Sequence, residues 1–324
     1  MTDPSTARSA RRAPALHPSR AAEIAGAALV ACLTIGASAQ QPVFRGGVDL
    51  VNIAATVSDR KGALAADLGA EDFEIYEDGK RQTIEYFAIG DPSADSPRPE
   101  MHLGLVLDVS ESMGEDMSFT KTAAIKFVNT LTDAVDVSIV DFDTEVRSAR
   151  YSQQEFPRLV ERIRQKKAGG FTALYDAIGL YLDGAAGQQG RKVMLLYTDG
   201  GDTRSSMTKP ELLDLLKASD ATVYAIGELE HQTSSGKAEA RMLLQQIAEI
   251  TGGQAFFPIS VKELDAVYEK VIAQIRAQYT IGYVTTNGRT DGAWRKVEVK
   301  IARKDGRDLR VRARKGYFAP FRKP

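Results

Sequence analysis

Apolar positions follow two rhythms along the middle of the chain. Short apolar runs at 103–107, 135–142, 193–197, 222–226 and, more weakly, 255–257 alternate with longer stretches. In those stretches, at 120–131, 156–166, 173–182, 210–218, 238–250 and 261–278, apolar residues recur every three to four positions. A continuous apolar run suits a strand buried on both faces, and the longer period suits an amphipathic helix. Their alternation predicts a mostly parallel sheet with helices on both sides. Gly252-Gly253 supplies a C-terminal stop for the helix before it.

The flanks follow a period of two. A strand-like stretch opens at Val48 and continues to Val57, and Phe73, Ile75, Ile84 and Tyr86 alternate around the hairpin signal Asp78-Gly79. Beyond the middle zone, 279–285, 294–303 and 309–314 read as strands, with turns at Asn287-Gly288 and Asp305-Gly306. Trp294 is expected to pack in the β core. The segment 91–99, with its prolines, serines and aspartates, reads as a linker.

Charge ties the flanks together. From Arg289 to the end there are 13 Lys and Arg against 4 Asp and Glu, whereas from Asp59 to Glu100 the count is 5 against 11. Two β zones of opposite charge around one α/β zone predict a single β domain with the α/β domain inserted into it. The expected boundaries are a leader at 1–39, β domain at 40–99, α/β domain at 100–278 and β domain again at 279–324.

The whole chain, 324 residues with a net charge of -1, has no global drive toward nucleic acid. The basic tail reads as solvated strand faces, with no nucleic-acid motif beside it. A single cysteine excludes an internal disulfide framework and a Cys-rich zinc module. Three scattered histidines make a His-based metal site or triad improbable.

The first residues read as an export signal. Arg8, Arg11, Arg12 and Arg20 precede an apolar run at 24–35, and Ala37-Ser38-Ala39 matches a small-x-small cleavage pattern. The run is shorter than the roughly 20 residues a spanning helix needs. Leu29-Val30-Ala31-Cys32 resembles a bacterial lipobox, so a lipid anchor at Cys32 is the one expected route to a membrane, with plain cleavage after Ala39 favoured over it. The expected location is periplasmic or extracellular.

Chemistry concentrates in three loops. The apolar run at 103–107 ends in Asp108-Val109-Ser110-Glu111-Ser112-Met113-Gly114, ahead of a helix. Alternate spacing lets Asp108, Ser110 and Ser112 converge when the loop curls. All three offer oxygen, which suits a hard cation such as magnesium or manganese. Ligands of open parallel sheets bind beyond the carboxyl ends of strands, where this loop lies. A second buried run ends in Thr198-Asp199-Gly200, and Gly169-Gly170-Phe171-Thr172 places a hydroxyl at a helix start. Thr172 would also serve as a helix N-cap, and Asp199 as a turn residue. Asp141 and Asp143 follow another strand, either as outer groups that orient the ligands or as ordinary loop charge. Glu111 should point outward, Asp202 reads as a loop residue, and Tyr175 and Asp176 as part of the helix that buries the Gly-rich loop.

Together these segments resemble the von Willebrand factor type A (VWA) domain and its metal-ion-dependent adhesion site, over 101–278. The flanks, through Asp72-Phe73-Glu74-Ile75-Tyr76-Glu77-Asp78-Gly79-Lys80 and Lys315-Gly316-Tyr317-Phe318, look more loosely like exported bacterial VWFA-related proteins of the acidobacterial type. The resemblance implies a Rossmann-like, doubly wound α/β fold. It also implies a divalent ion held by Asp108, Ser110, Ser112, Thr172 and Asp199, some directly and some through water. In the family an open position on the ion takes a carboxylate oxygen, from Asp or Glu, of a partner protein. Magnesium or manganese is expected; calcium suits a site this poor in carboxylates less well. The implied function is adhesion-type protein binding rather than catalysis. The competing readings are a metal-dependent hydrolase, with Glu111 or Glu115 the near candidates for a base, and an envelope scaffold with a purely structural site.

Overall fold

A computed structural model describes residues 50–90, 99–302 and 308–321. The expected export signal, Cys32, nearly all of the 91–99 linker and the Asp305-Gly306 turn lie outside the described residues. The leading flank forms β1 (Leu50–Ser58), β2 (Phe73–Glu77), β3 (Lys80–Gln82) and β4 (Ile84–Ile89). The middle of the chain runs β5 (Met101–Asp108), α1 (Met117–Thr130), β6 (Asp136–Phe142), β7 (Val146–Ser152), α2 (Phe156–Gln165) and α3 (Leu174–Ala185). It continues with β8 (Arg191–Thr198), α4 (Lys209–Ala218), β9 (Thr222–Gly227), α5 (Ser234–Ile250), β10 (Gln254–Phe256) and α6 (Val261–Arg276). The trailing flank forms β11 (Tyr279–Val284), β12 (Trp294–Ile301), β13 (Arg310–Ala313) and β14 (Gly316–Phe318).

The middle strands build a six-stranded sheet in the order β10-β9-β8-β5-β6-β7. Every pairing is parallel except β6 with β7, an antiparallel edge hairpin. Every residue of β5 and β8 is buried, as their continuous apolar runs require. Alternation then divides each strand between two cores. Leu103, Leu105 and Leu107 pack with Phe127 of α1, Leu159 of α2 and Tyr268 of α6. Val106 packs with Ile178 of α3, Leu212 of α4 and Leu244 of α5. Gly104 points at this second layer, where the Tyr181 ring occupies the space a Cβ would need. The glycine is thus what lets α3 approach the centre of the sheet.

The edge strand β7 does not appear in the sequence pattern. Its residues, Val-Arg-Ser-Ala-Arg-Tyr-Ser, are at most half-buried and carry no apolar run. It forms because a tight turn after Phe142 folds it back onto β6, in register from Asp136↔Ser152 to Phe142↔Val146.

The flanks form two four-stranded antiparallel sheets, β13-β1-β11-β4 and β14-β12-β2-β3. Each sheet takes strands from both ends of the described chain, so the α/β fold is inserted into one β unit. The register Ile53↔Ile281 joins positions on either side of the insertion. The sheets enclose Ile53, Ile75, Tyr279, Ile281 and Val297, and Phe73 stacks obliquely on Tyr279 with ring centroids 5.0 Å apart. Trp294 departs from expectation: it is 37% exposed and packs edge-on against Phe318 at the sandwich surface. Exposed and buried positions alternate at the start of β12, and Trp294 falls on the exposed face with Lys296 and Glu298.

Polar contacts fix the junction. Arg191 of β8 donates to the Ile275 carbonyl of α6 at 2.5 Å and to Gln278 Oε1 at 3.2 Å. Arg312 of β13 donates to the Gly252 carbonyl (3.2 Å), to Gln254 Oε1 (2.7 Å) and to Gln274. Gly252, at φ +78°, leaves no room for a Cβ, which would lie 2.8 Å from the Ala313 carbonyl carbon.

Candidate metal centre

Asp108 is the last residue of β5 and is completely buried. Ser110 curls back onto it, donating from its backbone N–H at 3.0 Å and its hydroxyl at 2.6 Å to Asp108 Oδ1. The Ser110 and Ser112 hydroxyl oxygens are 3.1 Å apart. The curl predicted from the alternate spacing therefore brings these three residues together. A short 3-10 turn over Glu111–Met113 follows, and it leaves Glu111 and Ser112 exposed.

Backbone bonds bring the second loop against the first. Gly169 N–H donates to the Val109 carbonyl (2.9 Å) and Glu111 N–H to the Gly170 carbonyl (3.1 Å). Gly170 sits at φ +79°, where only glycine is unstrained, and a Cβ there would press on Thr144 Oγ1. Thr172 is buried, and its backbone is held between Thr203 Oγ1, which accepts from its N–H at 3.0 Å, and the N–H groups of Thr203 and Arg204, which donate to its carbonyl. The N-cap position of α3 is Ala173 and carries no side-chain cap, so Thr172 lies one residue before the cap position.

Asp199 heads the third loop, directly after β8. Its Oδ1 accepts from Gly201 N–H at 3.0 Å, and its carbonyl from Gln232 Nε2 at 2.6 Å. Its charge reaches Asp108. Burial pushes the Asp108 carboxyl up to about 7, Asp199 adds to that rise, and the hydrogen bonds from Ser110 and Thr198 hold it lower than burial alone would.

Thr198 contacts the candidate site and was missed by motif reasoning. Its hydroxyl donates to Asp108 Oδ2 at 2.6 Å and accepts from Gly200 N–H at 3.0 Å, linking the first and third loops. Its place beside Asp199 at the end of an apolar run is one that any β-branched filler could take, so the sequence offered no distinguishing signal. Asp202 and Asp176 turn out to be fasteners. Asp202 accepts from Tyr175 N–H (3.2 Å) and the Ser205 hydroxyl (2.6 Å), and Asp176 from the N–H groups of Ser206 and Met207. They tie the third loop to the start of α3.

Asp141 and Asp143 are not loop charges of one kind. Asp141 lies within β6, completely buried, and accepts from Arg147 Nε (3.0 Å), Arg162 Nη2 (2.6 Å) and Lys166 Nζ (2.7 Å). Burial pushes its carboxyl up, but the three cations outweigh burial and hold it below the ordinary carboxylate range. Asp143 pairs with Arg147, and its carbonyl accepts from Ala173 N–H at 3.0 Å, which supports the Thr172 loop from behind.

The assembled set contains hydroxyls and two carboxylates, all hard oxygen donors. Among the described residues there is no group of three or more His, Cys, Asp or Glu side chains placed to hold a metal. A cation here would instead rely on Ser and Thr oxygens beside Asp108 and Asp199. These residues fit such an ion, because a buried carboxylate next to a second carboxylate has, among the described residues, no cation paired with it, and a divalent ion would supply that charge.

The model of the von Willebrand factor type A domain family matches residues 102–270, more than half of the chain. The chain belongs to this family. Among curated relatives, a UPF0353 protein of Mycolicibacterium paratuberculosis (strain ATCC BAA-968 / K-10) is 27% identical over 224 residues, which is 59% of this chain and 63% of the relative. A UPF0353 protein of Mycobacterium sp. (strain KMS) is 25% identical over 239 residues, 64% of this chain and 69% of the relative. The match to the first of these thus spans less than two thirds of its length. Among solved structures, a von Willebrand factor type A protein from Catenulispora acidiphila aligns over 85% of this VWA chain and 76% of its own, at 15% identity and a TM-score of 0.47. The BatB protein of Bacteroides thetaiotaomicron aligns over 54% of this chain and 98% of its own, at 16% identity and a TM-score of 0.43.

Proposed function

We propose that this VWA chain is an exported protein-binding module whose recognition depends on a divalent cation, magnesium or manganese. The observation that carries the reading is the burial of Asp108 beside Ser110, Thr198 and Asp199, an all-oxygen cluster whose one strongly desolvated charge has no cation paired with it among the described residues. Asp108, Ser110, Ser112, Thr172 and Asp199 would hold the ion; once bound, it would supply a positive centre able to take a carboxylate oxygen from a partner's Asp or Glu.

The protein's own residues prepare that encounter. Thr198 and Ser110 orient the two oxygens of Asp108 before any ion arrives. The backbone bonds from Gly169 and Glu111 hold the Gly-rich loop against the first loop, which limits the reorganisation that binding would cost. Ser112 is exposed at the rim, and Phe171, 64% exposed beside Thr172, offers a docking partner an apolar contact next to the charged centre.

Titration calorimetry of the chain with Mg²⁺ and Mn²⁺, beside the Asp108→Ala variant, tests the reading. Saturable binding that the variant loses is the expected result. Equal binding by both proteins would remove Asp108 from the site. Loss of the carboxylate preference of a captured partner in EDTA would then connect the ion to recognition.

A further inference from the structure

A second site lies at the other end of the sheet. A cavity of about 470 Å³ opens where the end of α4 meets the β sandwich, ahead of β9, whereas Asp199 follows the carboxyl end of β8. Apolar surface from Leu50, Tyr317, Phe318 and Pro320 lines it, together with Arg314 and Arg289. The volume is in the range of small-molecule pockets.

Arg314 is the unusual element. Its Nη2 donates to the Asn52 carbonyl at 2.7 Å and its Nη1 to the Ser219 carbonyl at 3.3 Å, so it bridges the sandwich and the α/β part. Its Nε is buried without a hydrogen-bond partner among the described residues. A guanidinium carries five N–H donors, so two carbonyls leave most of its donor capacity unused. No carboxylate forms an ion pair with it among the described residues, and Asp220, which also lines the cavity, is taken by Lys192 Nζ at 2.6 Å. Burial lowers the affinity of Arg314 for its proton, with Asp220 opposing that only in part. An anion arriving in the cavity would relieve this.

The surroundings select the anion. Of the two guanidiniums that line the cavity, Arg289 is exposed and screened by solvent, so Arg314 sets the charge that the cavity matches, and its planar fork matches a carboxylate. The carboxyl-terminal end of α4 borders the cavity through Ala218, and the negative end of a helix dipole opposes any anion there, a multiply charged phosphate more than a monocarboxylate. The aromatic and proline walls suit an apolar body.

We propose that this cavity binds a monocarboxylate carried on an apolar body, with Arg314 taking the carboxylate and Tyr317, Phe318 and Pro320 covering the remainder. The same chemistry is offered by a free organic acid and by the carboxyl terminus of a peptide ending in an apolar residue. Because the ligand touches β1, the β13–β14 connection and the end of α4, its binding stiffens the junction between the two parts of the fold.

The test is titration of the full chain, followed by NMR, with 4-phenylbutanoate and with Ala-Ala-Phe bearing a free carboxyl end, each against its neutral amide. Two variants accompany it: Arg314→Gln, and Ala218→Trp, which places bulk at the cavity from an exposed helix-end position. Both carboxylates are expected to bind at least about tenfold more tightly than their amides, and each variant to lose about tenfold or more. The tighter of the two acids names the source. Equal binding of acid and amide overturns the proposal, as does binding that survives Ala218→Trp, or the absence of any binding up to about 10 mM acid. Ala218→Trp keeps the test decisive if Arg314→Gln does not fold. None of these readouts involves the metal site.

Discussion

Replacing Asp141 by Asn should destabilise the fold far more than its conservative shape suggests. The carboxylate is completely buried in β6 and accepts charge-assisted hydrogen bonds from Arg147, Arg162 and Lys166, which come from β7, from α2 and from the residue that follows α2. Removing one member of a buried ionic cluster costs about 3–5 kcal/mol when its partners are left uncompensated; Arg162 and Lys166 would be, whereas Arg147 keeps Asp143. Here the three cations are not sealed in: their side chains are 37%, 23% and 19% exposed. Water can reclaim part of their charge, so the expected loss is near the lower end, about 3 kcal/mol. Urea unfolding at pH 7, with equal m-values for both proteins, measures it.

The pH dependence supplies a second check. The Asp141 carboxyl titrates lower in the folded state than its ordinary value of 3.8. Its stabilising contribution is therefore complete above that value and is lost as pH falls through the lowered one. The gap between wild type and Asp141→Asn should stay constant from pH 7 to about 5 and close in stronger acid. A loss below about 1 kcal/mol at pH 7, or a gap unchanged through strong acid, would refute the claim that the ionised carboxylate holds this corner together.

Other outcomes follow from the same contacts. Asp108→Asn should abolish Mg²⁺ binding yet raise metal-free stability by about 1 kcal/mol or more, because it removes a charge that burial disfavours. Its raised folded pKa also predicts that metal-free wild type gains stability as pH falls from about 7 toward 3.8, a slope the variant should lack in urea titrations at stepped pH. Saturating Mg²⁺, at about 100 times Kd, should stabilise wild type by about 2.7 kcal/mol and leave Asp108→Ala unmoved in thermal melts. Thr198→Val should weaken Mg²⁺ binding by about tenfold without moving the melting temperature by more than a few degrees, since it removes the donor that orients Asp108 Oδ2. Gly104→Ala should cost about 1–3 kcal/mol or more by overpacking against Tyr181, and a melting temperature equal to wild type would contradict the close approach of α3.

Much of the site was legible because its residues are local. Asp108, Ser110 and Ser112 sit within five positions, so one turn of backbone after a buried strand suffices to gather them. Thr172 and Asp199 stood out as candidates through their own neighbours, a glycine pair and a second buried strand. Thr198 did not, since nothing local distinguishes a buried threonine at a strand end from a β-branched filler; its role exists only because β8 lies beside β5 and carries its hydroxyl to Asp108.

The same division runs through the whole fold. Continuous apolar runs determine β5, β8 and β9 and the helices between them, because burial on both faces needs an uninterrupted apolar strand whatever its neighbours. The opposite charges of the flanks also announced that they belong together. Which strands pair was a tertiary decision: β1 against β11 joins residues on either side of the inserted α/β fold, and no local pattern encodes a partner that distant. The edge strand β7 was decided in the same way, by the hairpin that returns it to β6. So was the fate of Asp141, whose three cations converge on it only once β7 returns beside β6 and α2 packs back across the sheet. Sequence pattern sets which face of an element is buried, but the chain must fold before it is settled what that face, or that charge, will meet.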